Sequence, residues 1–502
     1  MTLISRVLGF VRDILFAAAF GAGAGMDAFL VALKIPNFGR RMFAEGAFAQ
    51  SFVPVFTETR TRGTHEDVSD LLSRVSGTLG GVLGAITLVG CLASPLLMGL
   101  FAPGFADDPA QFALGADMLR WTFPYLMFIS LTAMAGGVLN SYGQFAVPAI
   151  TPVILNICLI AAAFIDNDSV QVLAYAVFAA GILQLAAQLP SLRRLNLTPR
   201  PRWGWGDARV QRIMKLMVPI MIGSSVAQVS LLLDTIIASF RVTGSVSWLY
   251  FADRLMEFPL GLFSIAIGTV ILPTLSAQFA SQSDTAFSDT LDWALKLLLL
   301  VGLPAALGLF VLAGPLVVTL FQCRAFTATD VHMTAAALMA YAFGFMGFSL
   351  VKILVPGFYA RQETRIPVRY AITALLSGMA LSVTGVLVAV HFEFGAPHAV
   401  LAAATSTSAW INALLLFGRL RRDGVYVPVA APWKTFGLRL LLANLAMVTV
   451  VVVLQGPLQL WLDLPLLDRV LRLLWVLAAA GLSYGAMLFL TGLRPHHLHR
   501  RS

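Results

Sequence analysis

Between Ser5 and Phe56 the sequence SRVLGFVRDILFAAAFGAGAGMDAFLVALKIPNFGRRMFAEGAFAQSFVPVF has the apolar content of membrane-spanning segments. It nevertheless holds Arg6, Arg12, Asp13, Asp27, Lys34, Arg40, Arg41 and Glu45. A charge at the centre of a spanning helix costs about 2.5 to 3.5 kcal/mol on insertion scales, so a cluster this dense faces protein or water rather than lipid. A transport pathway is the first reading. Residues seven apart return to nearly the same helix face, which groups Arg6 with Asp13, and Asp27 with Lys34 and Arg41. The run GAGAG separates two helices, and Pro36 interrupts the second by removing a backbone donor. For Lys34, Arg40 and Arg41 an interfacial position, with the heads reaching toward lipid headgroups, is an open alternative. Arg12 and Asp13 have no helix end so close, because VLGFV precedes them and ILFAAAF follows.

The rest of the chain shares this character. Of its 502 residues 58% are hydrophobic and 12% charged, with a mean hydropathy of +0.84, far outside the soluble range. Fourteen apolar segments lie between residues 3 and 490, each long enough for roughly 30 Å of hydrocarbon. The expected fold is an all-α polytopic membrane protein. The first segment is not a signal peptide, because arginines interrupt it where a clean apolar core belongs. A net charge of +9 would suit nucleic acid, but the arginines sit in alternate loops. Arg60, Arg62, Arg193, Arg194, Arg200, Arg202, Arg361, Arg365, Arg419, Arg421 and Arg422 follow even-numbered segments, while Asp107, Asp108, Asp166, Asp168 and Glu393 follow odd-numbered ones. The positive-inside rule then puts both termini in the cytoplasm, and no nucleic-acid partner is expected.

The connection PSLRRLNLTPRPRWGWGDARVQR divides the chain. The second half opens as the first does, with an apolar helix, a short turn, and a charged helix that ends in ILPTL where the first half's ends in FVPVF. Two six-helix repeats of like orientation would give this pattern and leave a cavity between two lobes. The expected organisation is an N-terminal lobe at 1–190, a cytoplasmic linker at 191–212 and a C-terminal lobe at 213–422. Residues 423–502 then hold two extra helices, read either as lipid packing or as a groove for an acyl chain, and a basic tail.

In WLYFADRLMEFP, Arg254 and Glu257 have the i, i+3 spacing of a pair, and an arginine in apolar surroundings also presents a rigid fork of donors suited to phosphate. Lys352 is a further cation in an apolar run. Enzyme readings find no support. No lysine follows a glycine, so there is no P-loop, and no H-E-x-x-H occurs. Cys91, Cys158 and Cys323 form no C-x-x-C pair and are read as packing residues.

SRVLGFVRD, GAGAGMDAFLVALKIPNFGRRMFAEGAFAQSFVPVF, YFADRLMEFPLGLFSIAIGTVILPTLS and PGFYARQETRIPVR together resemble the MurJ (MviN) lipid II flippases of the multidrug, oligosaccharidyl-lipid and polysaccharide exporter superfamily. The resemblance implies a bacterial inner-membrane protein that moves lipid II, the undecaprenyl-diphosphate-linked disaccharide-pentapeptide, from the cytoplasmic to the periplasmic leaflet by alternating access. It also implies two six-helix lobes around a central cavity plus two helices forming a groove for the lipid tail. Its functional positions fall on Ser5, Arg6, Arg12, Asp13, Asp27, Arg40 and Arg254, with Arg12, Asp13 and Arg254 where the diphosphate is expected. Some members bind sodium through the seventh and eleventh segments; Asp234 matches the first, whereas AITALLSGMALSVTGVLV carries no carboxylate. No cofactor is expected, coupling to the membrane potential or to a monovalent cation stays open, and the partners are lipid II and membrane lipids around a monomer. An ion-coupled multidrug or other lipid-linked oligosaccharide exporter is the alternative of like architecture, and a non-transporting scaffold for cell-wall enzymes the alternative of another class.

Loop asymmetry makes the topology testable in a chain whose three native cysteines are replaced by serine. A cysteine at Arg422 should react with an impermeant thiol reagent only from the cytoplasmic side, and one at Asp108 or Asp168 only from outside. Labelling of Asp168→Cys from the cytoplasmic side would overturn the assignment.

Overall fold

In hydrocarbon a backbone must satisfy its own N–H and C=O groups, and a helix does so within one segment. The computed structural model describes residues 2–41, 48–166, 168–428 and 430–493, and their side chains except in 2–3, 222–231, 262–270 and 430–432. Every regular element among them is a helix. Two compact units result, 1–247 and 248–502. In the first, α1 (Thr2–Phe20), α2 (Ala24–Arg40), α3 (Ala49–Arg62), α4 (His65–Leu92), α5 (Ser94–Phe101), α6 (Pro109–Thr122), α7 (Tyr125–Ser141), α8 (Ala146–Ile165), α9 (Gln171–Arg194) and α10 (Ala208–Ser239) follow in order. Helix α8 packs on α1 and α9, α7 on α9, and α2 on α6.

The second unit continues from α11 (Ser245–Ala280), whose first turn closes the first unit. It holds α12 (Asp284–Val311), α13 (Ala313–Phe321), α14 (Ala328–Tyr359), α15 (Arg365–His391), α16 (Pro397–Arg422), α17 (Ala430–Gln455), α18 (Leu458–Asp463) and α19 (Leu466–Leu490). Here α14 and α15 pack on α16, α12 on α14 and α17, and α17 on α19.

Ten helical stretches among the described residues, against fourteen crossings expected, are long and apolar enough to cross a membrane. Helix α1 falls outside that set because Arg6, Arg12 and Asp13 all lie within its 19 residues, and α2 because it has 17. Part of the side chains of α10 and α11 lies outside the described set, and the expected second segment runs through residues 42–47, which also lie outside it.

The internal repeat is visible as a fixed interval of 219 positions. Helices α6 and α14 start at 109 and 328, and α8 and α15 at 146 and 365. Pro54 and Pro273, the prolines of FVPVF and ILPTL, are spaced likewise. So are two breaks that the sequence did not announce. Helices α4 and α12 each run 28 residues and stop at Ala93 and Leu312, which share one backbone conformation (φ −87°, ψ 12° and φ −91°, ψ 13°). Just beyond each break a proline, Pro95 or Pro315, lacks the N–H that would bond the carbonyl four residues back.

The last helices are fixed by polar bonds to the rest of the second unit. Arg469 of α19 is buried and donates to three carbonyls, Gln322 O at 3.1 Å, Val318 O at 3.5 Å and Leu462 O at 2.9 Å. Two of these lie at the C-terminal end of α13, where helix carbonyls run short of intrahelical partners; Val318 O also accepts from Gln322 N at 3.2 Å. Asp292 of α12 is a second anchor, accepting from Tyr426 Oη at 2.9 Å and Trp433 Nε1 at 2.5 Å and pairing with Lys296 at 2.6 Å. Tyr484 Oη reaches Leu300 O at 2.5 Å. Replacing Arg469 by leucine takes a charged donor away from those carbonyls, and the loss of hydrogen bonds from a charged donor is worth roughly 1.5 to 3 kcal/mol. Arg469→Leu should therefore make the 456–465 connection more sensitive to limited proteolysis in detergent while α1–α9 stay resistant; unchanged cleavage would show that apolar contacts alone hold the pair.

Candidate functional site

Ser5, Gly9, Arg12 and Phe16 recur at spacings of three and four along α1, which places them on one stripe of the helix. Asn156 of α8 lies against it. Arg12 Nη1 donates to Asn156 Oδ1 at 3.0 Å, and Asn156 Nδ2 donates to the carbonyl of Ser5 at 3.0 Å. Arg12 Nε and Nη2 donate to Asp13 Oδ1 at 2.9 and 2.6 Å, and the guanidinium carbon sits 5.5 Å from the centre of the Phe16 ring. The side chains of Arg12 and Asp13 are 12% and 2% exposed. The charge inferred from sequence is thus buried, but as a neutralised pair whose orientation an amide from another helix fixes. Ser5 joins through its backbone.

Arg6 does not join. Its side chain is exposed on α1, next to exposed Val7. The expectation that it lies buried on one face with Asp13 is corrected, because two turns separate the two residues and Arg6 lies closer to the helix start. Lys352, expected as a buried cation, is likewise exposed.

On α2 the seven-residue spacing of Asp27 and Lys34 sends both to residues that follow them far along the chain. Asp27 is almost fully buried and accepts three hydrogen bonds from two residues: Oδ2 takes Gly244 N at 2.7 Å, while Oδ1 takes Ser247 N at 2.8 Å and Ser247 Oγ at 2.5 Å. A carboxylate thereby satisfies amides at a helix start that have no intrahelical partner. Gly244 adopts φ +100°, a conformation open to glycine and strained for other residues. Lys34 Nζ donates to Thr235 Oγ1 at 3.0 Å. Asp234, next to Thr235, is half-buried. Arg40 Nε donates to Asn37 Oδ1 at 3.1 Å, a bond within its own helix, and Arg41 is exposed. Glu45 lies outside the described residues.

In the second unit Arg254 forms the expected pair with Glu257 at 2.7 Å and lies 5.0 Å from the centre of the Tyr250 ring. At 36% exposed it is far more open than Arg12. Trp248 Nε1 donates to Asp330 Oδ1 at 2.8 Å, its ring lies 5.0 Å from that of buried His398, and His398 Nε2 is 2.9 Å from Met333 O. Asp330 has a counterpart 219 positions earlier in Gln111, whose amide donates to Ala24 O at 3.3 Å. Each ties the start of the fourth helical segment of its half to the start of the second. Among the described residues no three His, Cys, Asp or Glu side chains come together to hold a metal ion.

Sequence reasoning missed Asn156, Trp248 and His398. A lone amide in AVPAITPVILNICLIAAAFI was the only sign of Asn156, and a polar side chain inside such a helix costs enough to need a partner. Among the described residues the arrangement brings no nucleophile into line with a base. It offers guanidinium groups held in fixed orientation, which suit the bidentate binding of phosphate.

The family model described as lipid II flippase MurJ matches residues 16–467. A Haemophilus influenzae protein named probable lipid II flippase MurJ is 43% identical over 99% of this chain and 99% of its own length. The lipid II flippase MurJ of Burkholderia cenocepacia is 38% identical over 100% of this chain and 97% of its own. Among solved structures, one titled lipid II flippase MurJ, inward closed conformation, superposes with a TM-score of 0.81 at 26% identity, covering 98% of both chains. An inward-facing multidrug resistance MATE family transporter, at 14% identity and a TM-score of 0.63 over 84% of this chain and 95% of its own, shares the fold. With its all-helical architecture, its charged first helices and this match along nearly its whole length, the chain belongs to the lipid II flippase MurJ family.

Proposed function

We propose that this protein is a lipid II flippase of the bacterial inner membrane, with both termini in the cytoplasm, and that it moves undecaprenyl-diphosphate-linked disaccharide-pentapeptide to the periplasmic leaflet by alternating access. The observation that carries the reading is the family match over residues 16–467 in a chain whose first helix holds a buried, oriented arginine. Arg12 and Arg254 each supply a cation to the diphosphate, and Ser5, Arg6, Asp27 and Arg40 support binding or the movement that follows it. In the empty state Asp13 neutralises Arg12, and Asn156 keeps the guanidinium from turning away. A phosphate oxygen then takes the place of the neutral Asn156 oxygen on the guanidinium while the Arg12–Asp13 pair stays made, so that loading strips neither buried charge of its partner.

No covalent step is required and no nucleotide is hydrolysed. The membrane potential or a monovalent cation drives the cycle, with Asp234 as the candidate residue for the cation, and the working unit is a monomer.

Losing one charge-assisted contact to phosphate costs roughly 1.5 to 3 kcal/mol, about one to two decades in affinity. In a strain depleted of its own flippase, Arg12→Ala and Arg254→Ala should fail to support growth despite normal levels in the membrane. Arg12→Lys should rescue in part, because it keeps the charge but loses the planar fork. Asn156→Leu, which removes only the orienting amide, should fall between Arg12→Lys and Arg12→Ala. Normal growth with well-expressed Arg12→Ala and Arg254→Ala would refute the binding role and favour a scaffold.

A further inference from the structure

The polar connection between α9 and α10 is a strap laid along α4. Every second backbone N–H turns toward that helix: Arg200 N bonds Ser73 Oγ at 3.2 Å, Arg202 N bonds Ser73 O at 2.9 Å, and Gly204 N bonds Thr78 Oγ1 at 2.9 Å. The approach is close enough that a Cβ on Gly77 would collide with the backbone of Arg202. Arg209 closes the strap by donating to Asp207 and Asp70 at 2.8 and 2.9 Å. This bond, with the surrounding amides, holds the Asp207 carboxyl down at about 2.

So fixed, the strap presents Trp203 and Trp205, stacked with ring centres 6.1 Å apart and 65% and 49% exposed. Trp203 lies over Gly81, seven residues along α4 from the charged turn that holds Asp70 and Arg74, or about 10 Å at 1.5 Å per residue. No charged residue follows Arg74 in α4, so the ring lies within the first turns of the helix's uncharged part. Indole rings concentrate at such a boundary, where the ring body enters the acyl region and the N–H stays among headgroups. The basic residues divide in two. Arg74, Arg209 and Arg212 are paired with Asp70, Asp207 and Glu58. Arg193, Arg194, Arg200 and Arg202 are exposed and make no ion pair among the described residues.

We infer that this strap is a lipid-binding surface, a rigid anchor that holds anionic phospholipid headgroups through Arg193, Arg194, Arg200 and Arg202 while Trp203 and Trp205 sit among the acyl carbonyls. It goes beyond the transport reading and depends on it only for which leaflet is engaged. Four unpaired cations attract anionic rather than zwitterionic lipid, to the extent of about fivefold for each basic residue near the surface.

The test uses the full chain in lipid nanodiscs and reads tryptophan quenching by lipids brominated near the headgroup end of their chains. Subtracting the signal of the Trp203→Phe/Trp205→Phe variant isolates the strap, and either single variant serves if the double one does not remain monodisperse. Brominated phosphatidylglycerol should quench the strap signal at lower mole fraction than brominated phosphatidylcholine. The preference should fall on the order of fivefold for each arginine removed in Arg200→Gln and Arg200→Gln/Arg202→Gln, whose backbone bonds to α4 are untouched, and should shrink in high salt. Absence of quenching by either lipid would place the strap in water and overturn the proposal. So would equal quenching by the two lipids, or a preference that survives both arginine changes. Because no transport is measured, loss of lipid II translocation elsewhere leaves this outcome unaffected.

Discussion

A guanidinium inside an apolar helix has to be neutralised, hydrogen-bonded and still available, and the contact of α1 with α8 is arranged around that demand. Asp13 cancels the charge of Arg12 from the adjacent position, which alone would leave the pair free to swing. Asn156 removes that freedom by accepting from Arg12 and donating to the carbonyl of Ser5. The second turn and the fourth turn of α1 are thereby tied to one point on α8. A buried pair of this kind is weak evidence for stability, since desolvation offsets much of the attraction. Its persistence in an otherwise apolar interface fits a binding role better than a structural one.

The same economy governs the other buried charges. Asp27 and Arg469 sit at opposite kinds of helix end. The carboxylate collects amides at the start of a helix, and the arginine collects carbonyls at the finish of one, each in the sense the helix dipole favours. Neither needs an ion partner, because the partial charges of a helix terminus serve. Asp27 and Arg469 thus finish the backbone's hydrogen bonding, whereas Arg254, paired with Glu257, is left 36% exposed.

Much of the architecture was legible in the residues. Apolar runs of the right length located the helices, and the repeat showed in FVPVF and ILPTL, whose prolines hold the same 219-residue interval as the helix starts and the breaks. The breaks themselves at Ala93 and Leu312 were not legible, because a proline two or three residues past a helix end looks no different from one that merely bends a span. In the candidate site Arg12 and Asp13 stood out through the absence of any nearby helix end, whereas Asn156 carried no charge to betray it. Arg6 and Lys352 were misjudged for a common reason: spacing fixes which residues share a face but not whether that face is covered. The strap is legible in the sequence only as a linker, because its hold on α4 is made by main-chain amides, which every sequence has.

The claim that matters most is that this chain moves lipid II across a bilayer. Proteoliposomes carrying lipid II in both leaflets, treated with a reagent that modifies the headgroup and cannot cross the membrane, measure this directly. Without protein, and with Arg12→Ala, modification should stop when the outer leaflet is exhausted, whereas the native chain should carry it toward completion. Modification that stops at the outer leaflet with correctly inserted native protein, under an imposed membrane potential and with monovalent cations on both sides, would contradict the account.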